Sequence, residues 1–225
     1  MTSDLRPVWI LQLEFGSVIE GGLVIVRVLA VRSTILLDVL GQGLGIRRCE
    51  VDVFATQPYH LPELDLSAPL DRYRAVVLPE WIDSYGHMNM AVYVTVFDQA
   101  ADELCALLGV GPLYTQHEIG MLFVLETHLT YAREVRLGAP LRVTSQILDH
   151  DAKRLHLFHH MYHGDEGWPV ATNEVLMINV DYKTRRTMPW PDETRRRLGL
   201  MADAHAALPK PENAGRTIRI KPGHK

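Results

Sequence analysis

Asp83, Gly86, His87 and Asn89 stand within one seven-residue stretch, directly ahead of an apolar run that begins Met90-Ala91-Val92-Tyr93. A carboxylate held at a helix N-terminus has two chemical uses. It can take a proton from water, or attack an acyl carbon itself. The first amides of a helix have no partner within it, and the helix dipole favours negative charge there. Such amides can hold the oxyanion that forms when a carbonyl is attacked. Losing one such donor typically costs roughly 10²–10³ in rate. The pattern therefore suits hydrolysis of an activated acyl group, with Asp83 as base or nucleophile and the amides near Met90 polarising the carbonyl. Gly86 would let backbone approach a ligand closely. His87 and Asn89 could orient Asp83, the water or the carbonyl. Each also has a plainer reading: Asp83 as a turn former, His87 as a structural hydrogen-bonding group, Asn89 as the helix N-cap.

Several elements must position this stretch. Arg72 to Leu78 reads as a strand ended by Pro79, and residues 79–88 read as a loop. From Asn89 to Leu108, Val92, Val96, Ala100, Leu104 and Leu107 recur on one helical face, while Val94, Phe97, Ala101, Cys105 and Leu108 fill others. A helix apolar on most sides is expected to be buried. Gly109 and Gly111-Pro112 end it. Four strand-like segments follow: Met121 to Arg133, Ala139 to Leu148, Arg154 to Tyr162 and Pro169 to Tyr182. Turn chemistry separates them, as in Gly138-Ala139-Pro140, Asp149-His150-Asp151 and Gly164-Asp165-Glu166-Gly167. Connections this short argue for antiparallel neighbours. Asp192 is placed to N-cap a charged helix to about His205, and residues 209–225 form a basic tail. One antiparallel sheet curled around one long central helix buries both apolar faces, an α+β hotdog fold.

Asp83-Ser84-Tyr85-Gly86-His87-Met88-Asn89, followed by Tyr93 and the apolar helix, resembles the active-site loop of the 4-hydroxybenzoyl-CoA thioesterase family of hotdog enzymes. The resemblance covers about Tyr73 to Trp190. Residues 79–93, together with Ala214-Gly215-Arg216, are similar to the betainyl-CoA thioesterases of carnitine breakdown. It implies an acyl-CoA thioesterase acting on a short or polar acyl group, with Asp83, His87, Asn89 and Met90 catalytic and Trp81, Tyr85, Gly86 and Tyr93 at the substrate. It also implies a homodimer or a dimer of dimers, with sites at the interface. A trimethylammonium group would call for aromatic faces, which Trp81 and Tyr85 could supply on either side of Asp83. Arg133, Arg136, Lys153 and Arg154 flank strand ends and are candidates for the phosphates of coenzyme A. A hotdog hydratase or dehydratase is the nearest rival, but the Asp-x-Asn-x-x-His spacing of those enzymes is absent. A non-catalytic acyl-CoA-binding regulator would need a DNA-binding module in residues 1–70, where no helix-turn-helix pattern occurs.

Other functions are disfavoured. The 225 residues carry 23 basic and 27 acidic side chains, a net charge of −4, which gives no support for a nucleic-acid partner. The apolar region from Gly21 to Gly45 is broken by Arg27, Arg32 and Asp38, so no membrane span is expected. The start is a poor signal peptide, and Cys49 and Cys105 form no CxxC pair, so a cytoplasmic protein is expected. His156, His159, His160 and His163 cluster in sequence without metal-ligand spacing. They read as solvated strand histidines, and no metal or cofactor is expected. Arg195-Arg196-Arg197 reads as a solvated helix face. Residues 1–70 read as an N-terminal extension with two strands, Leu23 to Ala30 and Ser33 to Leu40, and a proline-containing linker through Pro58, Pro62 and Pro69. Residues 71–190 form the hotdog domain, and 191–225 a C-terminal helix and tail.

Overall fold

The computed structural model describes residues 10–19, 22–31, 34–41, 44–52 and 61–219, with side chains for 61–219 only. The chain divides into two compact units between His60 and Leu61. The first unit contains an antiparallel meander of β1 (Ile10–Ile19), β2 (Gly22–Val31), β3 (Thr34–Gly41) and β4 (Leu44–Asp52), paired in that order. Two of these match the strands expected from sequence. β1 and β4 were not expected, because Glu14, Gly16 and Ser17 in one, and Arg47, Arg48 and Glu50 in the other, interrupt the apolar pattern. Residues 53–60, the first part of the expected linker, lie outside the described residues.

The second unit opens with β5 (Leu70–Val76), followed by a 3-10 turn at Pro79–Trp81 and helix α1 (Met90–Leu108). A five-residue helix α2 (Pro112–Gln116) leads into β6 (Gly120–Tyr131), β7 (Pro140–His150), β8 (Arg154–His163) and β9 (Pro169–Asp181), and α3 (Asp192–His205) closes the unit. The five strands form one antiparallel sheet in the order β5-β7-β8-β9-β6. Period-two alternation decides which face is inside. Leu141, Val143, Ser145 and Ile147 of β7 are all buried, as are Leu155, Leu157, His159 and Met161 of β8. Val96, Phe97, Ala100, Leu104 and Leu108 of α1 pack in the cores built on these faces.

Helix α1 is amphipathic rather than apolar all round. Val94 is 42% exposed, and Thr95, Asp98, Gln99, Asp102 and Glu103 are exposed too. In a single chain the helix covers one sheet face and turns its other side outward. Gly109 adopts φ +83° at its C-cap, a left-handed conformation that glycine reaches without steric cost.

Helix α3 starts at Asp192 itself, after Pro191, so Asp192 is a first-turn residue and not the N-cap. Its carboxylate and that of Glu193 suit the positive end of the dipole. Hydrogen bonds from Arg196 and Arg197 pull the Glu193 carboxyl down to about 2. Arg197 is not solvated. It is buried and donates to the carbonyls of Pro62 and Leu107, at 2.7 and 2.8 Å. The Leu107 carbonyl is one that the end of α1 leaves without an intrahelical partner. His205 joins the same helix to the sheet, accepting from the Ile147 amide at 2.9 Å, with its Nε2 3.0 Å from the Ser67 carbonyl.

Candidate active site

The loop before α1 is closed on itself by backbone bonds. Ile82 and Met88 form an isolated antiparallel bridge, and the Asp83 amide donates to the His87 carbonyl at 3.1 Å. Between them the Gly86 amide donates to the Asp83 carbonyl, and the Tyr85 amide donates to Asp83 Oδ1 at 2.8 Å. This is an Asx-type turn, the plainer role considered for Asp83, and it orients the carboxylate. Among the described residues no hydrogen bond reaches its Oδ2. Gly86 sits at φ +82°, and a Cβ there would meet nothing within 4 Å. The turn needs glycine for its backbone conformation, and protein crowding gives no reason for it.

Two further bonds seat the loop: Met88 N–H to the Val135 carbonyl at 2.9 Å and Asn89 N–H to the Trp81 carbonyl at 2.8 Å. Asn89 is the N-cap of α1, its Oδ1 accepting from the Ala91 amide at 2.9 Å while its carbonyl accepts from Val92. Capping therefore consumes the Ala91 and Val92 amides. The Met90 amide has no acceptor among the described residues. Asn89, expected either to orient the reacting groups or to cap the helix, is placed by the structure as the cap.

Asp83, His87, Met88, Met90 and Tyr93 line one open groove of about 350 Å³ with Tyr131, Ala132, Arg133 and Glu134. His87 lies between two carboxylates, with Nδ1 3.8 Å from Asp83 Oδ1 and Nε2 3.6 Å from Glu134 Oε2. Tyr93 and Tyr131 meet edge to face with ring centres 5.1 Å apart, and the Tyr131 hydroxyl donates to the Met90 carbonyl at 3.2 Å. Burial raises the Tyr93 phenol above its ordinary range, and the nearby Tyr131, Glu134 and Asp83 raise it further, against the lowering effect of the Val135 backbone. Tyr131 and Glu134 escaped sequence reasoning. They follow Tyr93 by about forty residues, and only the strand pairing that ends β6 beside the loop brings them in.

The remaining candidates divide. Arg133 lines the groove, with its guanidinium carbon 4.2 Å from the centre of the Trp168 ring. Arg136 is nearby in the same 132–139 connection and pairs with Glu134 at 3.1 Å. Lys153 and Arg154 do not join them within one chain. They lie at the β7–β8 turn, a full ten-residue strand from the loop end of the sheet, roughly 30 Å at the usual rise per residue. There Arg154 is paired with Asp151 at 2.6 Å, and Lys153 reaches Thr187. Trp81 is half-buried against the core around Val77 and Val135, and Tyr85 is 82% exposed and stacked on His87. Neither lines the groove.

The histidine cluster is likewise split by the strand. His159 is wholly buried, with Nδ1 2.8 Å from Ser145 Oγ and no partner for its Nε2 among the described residues, which corrects the expectation of a solvated side chain. His156 pairs with Glu174 at 2.8 Å on the other face. Among the described residues no three His, Cys, Asp or Glu side chains are grouped to hold a metal ion. No helix among them is long and apolar enough to cross a membrane.

The profile of the thioesterase-like superfamily matches residues 77–198, the stretch that holds the loop, α1 and the four strands after it. A betainyl-CoA thioesterase of Pseudomonas aeruginosa is 39% identical over 157 residues, spanning 70% of this chain and 99% of that protein. An L-carnitine dehydrogenase/betainyl-CoA thioesterase of Rhizobium meliloti is 35% identical over 159 residues, 70% of this chain and 32% of that longer protein. A Staphylococcus aureus protein solved in complex with CoA superposes with a TM-score of 0.62 at 30% identity, covering 69% of this chain and 99% of its own.

Proposed function

We propose, from the premise that this chain belongs to the thioesterase-like superfamily, that Asp83 drives hydrolysis of a short, polar acyl-CoA, betainyl-CoA foremost. The chain is a hotdog-fold acyl-CoA thioesterase. The assignment of Asp83 is carried by one observation: Asp83 lines the same groove as Met90, whose amide has no acceptor among the described residues. The thioester carbonyl oxygen takes the Met90 N–H as donor, which favours charge on that oxygen as the carbon becomes tetrahedral. Asp83 removes a proton from the attacking water, or attacks the carbon and is freed by water in a second step. The C–S bond then breaks, the acyl group leaves as the acid, and the CoA sulfur takes up a proton. His87, between Asp83 and Glu134, steadies the carboxylate. Arg133 and Arg136 are the cations at this end of the sheet available to the CoA phosphates. Catalysis belongs to the second unit, in the cytoplasm, and none of it to the four-stranded unit.

The working form is proposed to be a homodimer or a dimer of dimers joined through β6. This strand pairs with β9 on one side and is the sheet edge on the other, with Phe123, Val124 and Leu125 exposed along it. An edge strand of twelve residues with this apolar segment, unpaired on its outer side among the described residues, favours pairing with another strand. Tyr131 ends that strand, so a partner there closes the open side of the groove. Sedimentation should return a dimer or tetramer, and a fully active monomer would contradict this. Free-thiol release from betainyl-, 4-hydroxybenzoyl- and short fatty acyl-CoA tests the substrate. The highest kcat/KM is expected for betainyl-CoA, and a flat or fatty-acyl preference would overturn the assignment.

A further inference from the structure

We propose that Tyr131, backed by Tyr93, is the surface that selects a quaternary ammonium acyl group; this rests on the betainyl-CoA reading above. The length of the acyl group limits where its cation can sit. In a betainyl thioester the nitrogen is one methylene from the carbonyl carbon, about 2.5 Å away by ordinary bond lengths and angles. That carbon in turn must lie about 3–3.5 Å from the atom that attacks it. The trimethylammonium group is therefore held within the groove that contains Asp83, and only aromatic faces in that groove can touch it.

Trp81 and Tyr85 fail this condition, since neither lines the groove. Tyr93 and Tyr131 meet it. Their rings stand at 90° to each other, so they form two walls of a corner. Tyr93 is 4% exposed and supplies the back wall; Tyr131 is 49% exposed and offers the free face. The Tyr131 hydroxyl is tied to the carbonyl of Met90, the residue whose amide is the proposed oxyanion donor. The cation surface and the carbonyl site are thus fixed to one another by a single residue. Asp83 and Glu134 put two carboxylates on the same groove against the one guanidinium of Arg133, which is stacked over Trp168; that balance suits a cationic acyl group better than an anionic one.

The test compares betainyl-CoA with 3,3-dimethylbutanoyl-CoA, in which carbon replaces the nitrogen and shape is kept. The readout is the ratio of their kcat/KM values, which cancels losses common to both. Wild type should prefer betainyl-CoA, and Tyr131→Leu should cut that ratio about tenfold. Tyr131→Phe should keep the ratio within about twofold, since the ring supplies the attraction. Phenylalanines carrying successive ring fluorines at position 131 should lower it stepwise at constant shape, which holds even if the leucine variant does not fold. A wild type that prefers betainyl-CoA but keeps its ratio in the leucine and fluorinated variants overturns the tyrosine surface alone. A wild type that hydrolyses other acyl-CoAs and not betainyl-CoA overturns the substrate assignment, and the surface with it.

Discussion

His87 Nδ1 lies 3.8 Å from Asp83 Oδ1, within ion-pair range and beyond a direct hydrogen bond. The pair is thus loosely coupled, and Asp83 is oriented chiefly by its own turn through the Tyr85 amide. His87→Gln should lower kcat about tenfold with KM nearly unchanged, far less than loss of a positioned acid or base usually costs. Steady-state kinetics on the same acyl-CoA checks this. A loss as large as that from removing Asp83 would make His87 the proton-transfer group instead.

The cations at the two ends of the sheet should behave differently. Arg133 and Arg136 are near Asp83, whereas Lys153 and Arg154 occupy the far turn. Arg136→Ala should raise KM for acyl-CoA about three- to tenfold with little change in kcat, the loss of one charge-assisted phosphate contact. Lys153→Ala should leave both constants unchanged within a single chain's site. KM values measured at low and moderate salt separate the two.

Arg197 ties three segments together by donating to Pro62 and Leu107 carbonyls while pairing with Glu193. Arg197→Met keeps much of the side-chain volume and removes every one of these bonds. It should destabilise the protein by about 2–3 kcal/mol, because charged hydrogen bonds are lost and the buried Leu107 carbonyl is left bare. The chemical denaturation midpoint reports it. Arg195→Met, at an exposed position three residues after its partner Asp192, should cost about 0.5 kcal/mol or less.

His159 makes stability depend on pH. Burial, and to a lesser extent neighbouring His160, pushes its imidazole down to about 3. The folded protein thus keeps it neutral, while the unfolded chain binds a proton below about 6.5. Its contribution is fully present above pH 6.5 and is lost as pH falls towards 3, by up to about 1.4 kcal/mol per pH unit. Thermal melts between pH 7 and 4 should fall less steeply for His159→Gln than for wild type. His205, also held neutral chiefly by burial, loses stability in the same direction.

Local pattern carried much of the fold. The spacing of Val96, Ala100, Leu104 and Leu107 matched α1, and Gly109 marked its end, because burying one stripe of a helix leaves a 3.6-residue trace in sequence. Alternation did the same for β7. What escaped was set by partners distant along the chain. Nothing local distinguishes Arg197 from Arg195 and Arg196; only the Leu107 carbonyl beside it does. His159 and His160 look alike until one face of β8 is covered by Phe97 and its neighbours. Tyr131 and Glu134 were invisible as groove residues for the same reason. Lys153 and Arg154 looked equivalent to Arg133 because all four flank strand ends, and which end is decided by topology. The unbroken groove of Asp83, Met90 and Tyr93 lay within eleven residues, and so was open to a local reading.

Thiol release by Asp83→Ala is the most direct measurement, made on betainyl-CoA and on the best substrate of the wild type. A fall in kcat of about 10³-fold or more is expected, with the variant folded as judged by its circular dichroism. Thiol release at or near the wild-type rate would contradict Asp83 as the group that drives hydrolysis.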